Sequence, residues 1–515
     1  MKTNRRRFLA ACLGSATLPA LRRAAAASLP DSVSPEALAS DPLRPQYHLL
    51  PAANWMNDPN GPIYWNGNYH MFYQYNPNGA YWGDMHWGHA VSQDMVHWRH
   101  LPIALAPTPG GPDASGCYTG TAVVKGDRVV IMYTGVKASS MGQATIKGRT
   151  PPLRETQCLA IAADPDLITW SKVPTPVIET PPPQLEVNGF RDPSPWRQGD
   201  WWYTVLASGV ADQGGAVLLY RSKDLHNWEY LHTLSKRNHE GLAAFDPFDP
   251  WEVWECPEFF LLGDWHVLIY STADKTYWQS GKLDSEKMIF HPVQAGTLDY
   301  GSYYAAKTQL DKSGDRIIWG WIKETRPLAE YKAAGWAGMM SLPRVLSVTG
   351  DGRLHFRVAD AVHRLRGREQ ALTLTGDEQI IRQINGFRIA ACCGEIHCVT
   401  HRTGTPFELA LRGPEDNVSP WLTLHYDPRH PSQIFVDGRP LPLTLDSSED
   451  LKFHLYVDGS VIEVFVNDQI AFTKRFYYSG RNPRDLHLQW NGSTASIASL
   501  SLWQLSPISS NRLTI

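Results

Sequence analysis

The amino-acid sequence predicts an all-β protein, a five-bladed β-propeller followed by a C-terminal β-sandwich. Strand-like segments rich in β-branched and aromatic residues recur about every 50 to 70 residues between residues 55 and 345. Three of the repeats contain an Asp followed four residues later by a Trp, which is typical of a capped hairpin turn. Short strands in self-similar units of this length indicate a radial array of sheets, and five copies predict five four-stranded blades.

The repeat pattern ends, and the sequence pattern changes, after about residue 365. About eight to ten strand-like runs follow, separated by Gly, Pro and Asp turns, and they fit one β-sandwich. We therefore predict a propeller over residues 40–345, a linker over 346–364 and a sandwich over 365–515. Asp458 and Glu463 look like strand-turn and surface positions, and the sandwich is expected to buttress the propeller.

Residues 1–30 read as an export signal and not as part of the fold. Arg5, Arg6 and Arg7 precede a mildly apolar stretch that ends in an Ala-rich run. Consecutive arginines before a weak apolar core are typical of a twin-arginine signal. We therefore expect the mature chain to be exported, either to the periplasm or to the extracellular medium.

Composition excludes several classes of partner. The 515 residues include 48 Lys and Arg against 51 Asp and Glu, so no basic surplus is left for binding nucleic acid. No apolar run reaches the ~18–20 residues that span a bilayer, so no membrane span is expected. Seven Cys, of which Cys12 belongs to the export signal, are too few for a disulfide scaffold. The sequence leaves the oligomeric state open.

Three acidic residues occupy the same place in different repeats. Asp58, Asp192 and Glu255 each stand about ten residues before the aromatic start of the next strand. Asp58 and Asp192 are 134 residues apart, about two repeats, and Asp192 and Glu255 are 63 apart, about one. Because equivalent positions of propeller blades meet at the central axis, we expect the three carboxyl groups in one funnel. A single Asp-Pro is usually a turn, but three acids at matched positions favour a functional site.

Carboxyl groups that share a funnel repel one another, so at least one is expected to keep its proton near neutral pH. Glycoside cleavage needs this asymmetry, because one carboxylate attacks the anomeric carbon while a protonated acid supplies the leaving oxygen with its proton. The apolar neighbours of Glu255 predict a raised pKa and therefore the acid role. The polar neighbours of Asp58 favour a nucleophile, and Arg191 is expected to keep Asp192 charged.

Around these acids the chain closely resembles glycoside hydrolase family 32, the invertase, inulinase and levanase group of β-fructofuranosidases. The similarity extends over about residues 46–505, essentially the whole mature chain. The motifs that carry it are WMNDPNG at 55–61, FYQY at 72–75, MHWGHA at 85–90, FRDP at 190–193, WECP at 254–257, WGWIKE at 319–324, SLPR at 341–344 and VDGSVIEVFVN at 457–467.

The resemblance implies that Asp58 is the nucleophile, Glu255 the acid/base and Asp192 a stabiliser of the transition state. It also implies retention of configuration through a covalent fructosyl-enzyme, with the nucleophile and the acid about 5–5.5 Å apart. No cofactor and no metal are implied. The residues that it implies for holding the terminal fructose are Asn57, Gln74, Trp82 and Arg191.

Two segments depart from the family pattern. Thr119 stands where the family usually has Ser, so the sugar pocket keeps the hydroxyl and gains a methyl group. Ser194-Pro195-Trp196 is an unusually rigid sequence for a strand.

His86 and His89 lack a third metal ligand in the sequence, and we expect them to make structural hydrogen bonds.

The sequence therefore predicts an exported hydrolase that releases terminal fructose from sucrose or from fructans such as levan and inulin. One alternative is a fructosyltransferase, which uses the same intermediate with a sugar as the acceptor. The other is a non-catalytic sugar-binding propeller, which the presence of all three acids disfavours. The preferred substrate is not readable from the sequence.

Overall fold

The computed structural model of the protein describes residues 33–211, 213–237, 252–373, 376–413, 419–446, 448–479 and 484–509. The predicted export signal over residues 1–30 lies outside these ranges. Within them the chain forms seven sheets, five in an N-terminal propeller and two in a C-terminal sandwich. The predicted fold class is therefore confirmed.

The blades follow one another along the chain, and the first strands of neighbouring blades pack together around the axis. The first blade contains β1 Asn54–Pro59, β2 Ile63–Trp65, β3 Asn68–Asn76, β4 His86–Ser92 and β5 Trp98–Leu105. The second contains β6 Gly116–Lys125, β7 Arg128–Ala138, β8 Leu153–Ala162 and β9 Trp170–Lys172. The third contains β10 Val187–Gln198, β11 Trp201–Val210, β12 Gly214–Ser222 and β13 Trp228–Lys236. The fourth contains β14 Glu255–Leu262, β15 Trp265–Thr272, β16 Lys275–Asp284 and β17 Ile289–Asp299.

The repeated Asp-to-Trp motif is a capped turn between the third and fourth strands of a blade. Asp94 and Asp224 each accept two backbone N–H groups of their own turn. Met95 and Leu225 adopt left-handed φ values of 67° and 68°, and the Trp that follows donates its indole N–H to their carbonyls. In the second blade the capping residue lies two positions earlier, at Asp164. The motif thus orients the outermost strand of each of these blades.

A β-bulge interrupts the innermost strand of every blade at a matching position. Asp192, Cys256 and Ala305 have left-handed φ values of 61°, 52° and 56° at these bulges. A bulge adds one residue to a strand and re-aims the neighbouring side chains, which here turns them toward the axis. The register shifts lie between Met56 and Pro59, Tyr118 and Gly120, Arg191 and Ser194, Glu255 and Glu258, and Tyr304 and Lys307.

The fifth blade extends beyond the boundary that the sequence predicts. Residues 346–358 form part of its outer hairpin, so the structure corrects their assignment to the linker 346–364. Leu346, Leu354 and Phe356 are buried there, which a free linker would not require. The 3-10 helix Asp360–Leu365 then leads to the sandwich. The strands of this blade are β18 Tyr303–Leu310, β19 Arg316–Ile322, β21 Met339–Met340, β22 Arg344–Val348 and β23 Leu354–Val358.

The sandwich consists of two six-stranded sheets that enclose one apolar core. Helix α3, Asp377–Gly386, packs on it through Ile380 and Ile384, which are one turn apart. The sequence pattern does not predict this helix. The first sheet, in spatial order, is β24 Arg366–Ala371, β35 Ile497–Leu505, β26 Cys393–Thr400, β31 Leu451–Asp458, β32 Val461–Val466 and β33 Ile470–Arg475. The second is β25 Arg388–Ile389, β34 Leu486–Gly492, β27 Phe407–Arg412, β28 Leu422–Tyr426, β29 Gln433–Val436 and β30 Arg439–Pro442.

The other described helices are α1 Pro35–Ser40 and α2 Leu328–Ala334. No helix in the described ranges is long and apolar enough to cross a bilayer. After α2 comes β20, Trp336–Ala337, which pairs in parallel with β1 and so joins the last blade to the first. The six described cysteines are all buried, and no disulfide bond joins any two of them.

Asp458 and Glu463 connect the two domains. Asp458 ends β31 directly before a turn, as predicted, but both residues are buried, so their assignment to surface positions is wrong. Both side chains are fully buried, and both pair with the ring of His48, at 2.8 Å and 3.0 Å. Asp458 also accepts the backbone N–H groups of residues 46, 47 and 48. Arg344 of the propeller donates to Glu463 Oε2 at 2.5 Å and to Asp299 Oδ2 at 2.9 Å. A buried charge network therefore holds the sandwich against the ring, because each charge would be costly there without its partner.

Candidate active site

Three carboxyl groups from three blades meet at the propeller axis. Asp58 lies on β1, Asp192 on β10 and Glu255 at the start of β14. The thiol of Cys256 lies 3.4 Å from Asp58 Oδ2 and 3.6 Å from Asp192 Oδ2. Arg191 donates to Glu255 Oε1 at 3.1 Å, and its Nε lies 4.0 Å from Asp192 Oδ2. The structure thus brings the three acids into one connected cluster, as the spacing predicts.

Asp58 is held by donors on both carboxylate oxygens. Oδ2 accepts from the Thr119 hydroxyl at 2.8 Å, and Oδ1 accepts from the Asn57 amide at 3.0 Å. The Asn57 oxygen in turn accepts the indole N–H of Trp55 at 2.7 Å, which fixes the orientation of the amide. Asp58 is still half-buried and not closed off, so its carboxylate is both oriented and accessible from the funnel.

Asp192 lies deeper and has a different electrostatic environment. Its Oδ2 accepts the backbone N–H of Cys256 at 2.8 Å. Burial and the nearby charge of Asp58 raise the pKa of Asp192 to about 6, although Arg191, the Cys256 N–H and Lys307 act in the opposite direction. The expectation that Arg191 keeps Asp192 charged is therefore too simple, because desolvation outweighs the neighbouring guanidinium.

Glu255 has an apolar side and a polar side. Trp254 before it is buried and stacks on Tyr270 with ring centroids 3.9 Å apart, as the predicted apolar surroundings require. On the polar side the Tyr304 hydroxyl donates to Glu255 Oε2 at 2.5 Å, and Arg191 donates to Oε1. Glu255 is 9% exposed, so it is largely shielded from solvent.

Glu155 belongs to the site, although the sequence pattern does not predict it. It is fully buried on β8 and accepts from Arg191 Nη1 at 2.7 Å. It also accepts the Phe190 N–H at 2.7 Å and the Thr145 hydroxyl at 2.8 Å. Glu155 thus aims Arg191 between two glutamates. It lies on the third strand of its blade, so the spacing of the innermost strands carries no signal for it.

The residues that the resemblance implies for sugar binding lie around the acids with different exposures. Asn57 and Thr119 contact Asp58 directly. Gln74 is 2% exposed and donates to the carbonyl of Cys117 at 3.0 Å, so its amide joins the first blade to the second. The Thr119 hydroxyl therefore serves the carboxylate of Asp58 as well as the pocket that the resemblance implies.

Trp82 lies at the outer end of this group. It is half-buried, and its ring meets Tyr118 edge-on with centroids 6.1 Å apart. The guanidinium of Arg149, from the segment between β7 and β8, lies 4.8 Å from the Trp82 ring centroid. A cation on an indole face is attracted by the π-electrons of the ring. Trp82 is thereby held by residues of the second blade.

Two groups of ligand-type side chains are engaged within the protein. His89 pairs with His70 at 2.9 Å, as expected of a structural histidine. Among the described residues, the group with metal-like proximity is His363, Glu395 and His454. Arg366 donates to both oxygens of Glu395, at 2.7 Å and 2.5 Å, and thereby neutralises the carboxylate. This donor set therefore does not fit a resident metal.

Acidic side chains that converge on the axis of a five-bladed propeller, with an arginine and hydroxyl donors among them, provide the paired carboxyl groups that a hydrolase of glycosidic bonds requires. The chain belongs to glycoside hydrolase family 32. The family's N-terminal domain matches residues 48–357, and its C-terminal domain matches residues 395–504. The resemblance seen in the sequence is therefore confirmed.

Similar proteins cover both domains. The chain is 33% identical over 482 residues to a sucrose-6-phosphate hydrolase of Escherichia coli, which covers 90% of this chain and 94% of the relative. A family 32 beta-fructofuranosidase of Bombyx mori is 29% identical with a TM-score of 0.73, over 91% of this chain and 96% of that one. A fructan 1-exohydrolase IIa of Cichorium intybus is 25% identical with a TM-score of 0.72, over 90% and 98%. This protein is accordingly an enzyme of the β-fructofuranosidase class.

Proposed function

We propose that the protein is an exported, retaining hydrolase that releases terminal β-D-fructofuranosyl units from sucrose and from fructans. The observation that carries the proposal is the convergence of Asp58, Asp192 and Glu255 at one axis, joined by Cys256 and Arg191. Retention needs two carboxyl groups with different tasks, one to attack and one to move a proton. Asp58 is held by hydrogen-bond donors on both oxygens, which suits an ionised nucleophile, whereas Glu255 has an apolar side, which suits a proton donor.

In the first step an oxygen of Asp58 attacks the anomeric carbon of the fructosyl unit. The bond to the leaving oxygen breaks with its electron pair, and Glu255 gives its proton to that oxygen. Positive charge grows on the sugar ring in the transition state, and ionised Asp192 stabilises it while binding ring hydroxyls. Thr119 and Asn57 hold Asp58 on its line of attack.

In the second step water resolves the fructosyl-enzyme. Glu255, now ionised, takes a proton from water, and the water oxygen bonds to the anomeric carbon as Asp58 leaves with its electron pair. Arg191 and Tyr304 both donate to Glu255 and so favour the charged form that this step requires. The step restores free carboxyl groups and closes the cycle.

Three features support the substrate and the location. The Bombyx mori relative is named a beta-fructofuranosidase and the Cichorium intybus relative a fructan exohydrolase. Trp82 and Arg149 form one wall at the outer end of the funnel, where a terminal unit would enter. The twin-arginine pattern before residue 30 supports export.

The test is to supply sucrose, inulin and levan separately and measure the fructose that each releases. Free fructose is expected as the first product, with each chain shortened by one unit at a time and no early release of short oligosaccharides. In water containing methanol, retention predicts methyl β-D-fructofuranoside, and the α-anomer would contradict the covalent intermediate. If concentrated sucrose gives more oligosaccharide than free fructose, the protein is a transferase. Sugar binding without any turnover would indicate the non-catalytic alternative.

A further inference from the structure

A second layer of polar side chains lies beneath the acids, on the same innermost strands. The bulges place Asp192, Cys256 and Ala305 at the height of the acids. Two residues further along, the strands present a ring of side chains that are all less than a tenth exposed. Its members are Thr121 on β6, Ser194 on β10, Glu258 on β14 and Lys307 on β18.

The ring is organised around one buried ion pair. Lys307 is fully buried, and its Nζ lies 3.2 Å from Glu258 Oε1. The ammonium also donates to the Thr121 hydroxyl at 3.2 Å and to the carbonyl of Pro257 at 3.3 Å. It therefore joins the fifth blade to the second and fourth blades across the axis.

Glu258 has a full set of donors besides the lysine. The Ser194 hydroxyl donates to its Oε1 at 2.8 Å, which gives the rigid Ser194-Pro195-Trp196 segment a purpose. Thr308 donates to Oε2 from its hydroxyl at 2.8 Å and from its backbone N–H at 3.2 Å. Arg316 donates to the Thr308 hydroxyl at 2.9 Å and adds a second positive charge on that side.

We propose that Lys307 and Glu258 are a positioning pair of opposed charges that sets the ionisation of the acids above it, and of Asp192 in particular. The inference uses the proposed glycosidase reaction as its readout. The hydrogen bonds of Lys307 and Glu258 run to each other, to Thr121, Ser194 and Thr308 and to the Pro257 carbonyl, and the pair acts on the acids through its field. Fields act strongly here because the surroundings are buried and poorly screened.

Asp192 is the acid most exposed to this field. Lys307 lowers the pKa of Asp192, against burial and the Asp58 charge, which raise it. The charged or titratable groups that face Asp192 are Asp58 on β1, Arg191 on its own strand, Cys256 on β14 and Lys307 on β18, with Glu155 on β8 and Glu255 on β14 behind Arg191. Of these, Lys307 is fully buried in the ring and pairs with Glu258, and it is not one of the residues that the resemblance implies for sugar binding.

The proposal predicts pKa shifts of opposite sign in the acids when Lys307 and Glu258 are neutralised one at a time. Removing the positive charge should make the carboxylates harder to ionise, whereas removing the negative charge should make them easier to ionise. A purely structural ion pair would lose stability in both variants but would not move their pH dependence in opposite directions. The sign of the shift therefore separates the two roles.

The experiment is the pH dependence of kcat/KM for sucrose in the full chain and in four variants. Lys307→Met is expected to move the acid limb up by about one pH unit, and Glu258→Gln to move it down by about as much. The double variant should return close to the parent, and Lys307→Arg, which keeps the charge, should leave the limb in place. Thermal unfolding of each variant identifies any that fail to fold.

Shifts of the same sign, or no shift in folded Lys307→Met, would overturn the inference while leaving the proposed function intact. If Lys307→Met does not fold, the shift in Glu258→Gln and its reversal in the double variant decide the question. If the parent protein releases no fructose from sucrose or fructans, the proposed function fails instead. The two failures are therefore distinct.

Discussion

The Tyr304 hydroxyl donates a 2.5 Å hydrogen bond to Oε2 of Glu255, and so links the fifth blade to the candidate acid of the fourth. A donor of this kind stabilises the ionised carboxylate more than the protonated one. The bond therefore opposes proton retention before the first step and assists proton uptake in the second. Glu255 therefore has to act as an acid in the first step and as a base in the second, and this bond favours the second role.

Replacing Tyr304 with Phe should shift the alkaline limb of the pH profile to higher pH. Without the hydroxyl, Glu255 keeps its proton more readily, so the acid-competent form persists into more alkaline solution. We expect kcat to fall about tenfold, because the second step loses its stabilised base. Comparing kcat with kcat/KM from pH 4 to pH 9 measures both effects. An unchanged alkaline limb would show that this hydrogen bond does not control the acid.

Glu255→Gln and Asp58→Ala should each lower turnover of sucrose by several orders of magnitude with the fold intact. An aryl β-fructofuranoside with a good leaving group separates the two roles. Its departure needs no proton, so Glu255→Gln should form the intermediate at nearly normal rate, whereas Asp58→Ala should not. A rapid burst followed by slow turnover is the expected record for Glu255→Gln. Normal sucrose turnover by this variant would overturn the acid assignment.

Glu155→Gln should weaken catalysis through Arg191. The Arg191 guanidinium loses its fully buried partner and can turn toward Asp192. Its positive charge then lowers the pKa of Asp192. We expect kcat/KM for sucrose to fall at least tenfold and the acid limb to move to lower pH. Glu186→Gln, which removes an exposed carboxylate paired with Lys147, is the matched control and should behave as the parent.

Thr119→Val and Thr119→Ser test the departure from the family pattern. Valine has the shape of threonine but cannot donate to Asp58, so kcat should fall about tenfold, the typical value of one lost hydrogen bond. Serine keeps the donor and removes the methyl group, so kcat should be preserved. A lower KM in the serine variant would show that the methyl group narrows the sugar pocket. Equal losses in both variants would contradict the role of the hydroxyl.

His48 makes the stability of the protein depend on pH. Burial lowers its pKa, but hydrogen bonds and charges from Asp458 and Glu463 outweigh burial and raise it to about 9. Because the unfolded value is near 6.5, protonation favours the folded state by an amount fully present below pH ~6.5 and lost as pH rises through about 9. The contribution is on the order of 3 kcal/mol.

Urea unfolding between pH 6 and pH 10 should therefore show declining stability in the parent protein. His48→Gln should be less stable at pH 6 and should vary less over the same range. His97, whose side chain is 53% exposed beside Asp94, provides the control variant His97→Gln. The same pH dependence in His48→Gln and in the parent would exclude His48 as its source.

The sequence was informative where function follows the repeat. Asp58, Asp192 and Glu255 occupy equivalent strands, so counting residues was enough to place them at one axis. Glu155 and Tyr304 were not predicted, because one lies on a third strand and the other is one aromatic residue among many. Their importance comes from side-chain direction, and sequence spacing does not encode it.

Burial and boundaries were harder to predict. Asp458 and Glu463 look like ordinary turn and strand residues, because their partners are far away in sequence, at His48 and Arg344. Residues 346–358 resemble a linker because Gly350 and Gly352 mark a turn, although that turn belongs to a blade hairpin. Short hairpins in linkers and in blades have the same local chemistry, and only packing distinguishes them.

The segment that carries His48 runs into the first blade, and Arg344 comes from the fifth. Both ends of the ring therefore bind the same carboxylate of the sandwich, Glu463, and β20 adds only two residues of direct pairing between those blades. The sandwich therefore closes the ring of blades between the first blade and the fifth. Removing the sandwich would open the ring between the first and last blades. The three acids come from blades on both sides of that opening, so they would lose their alignment.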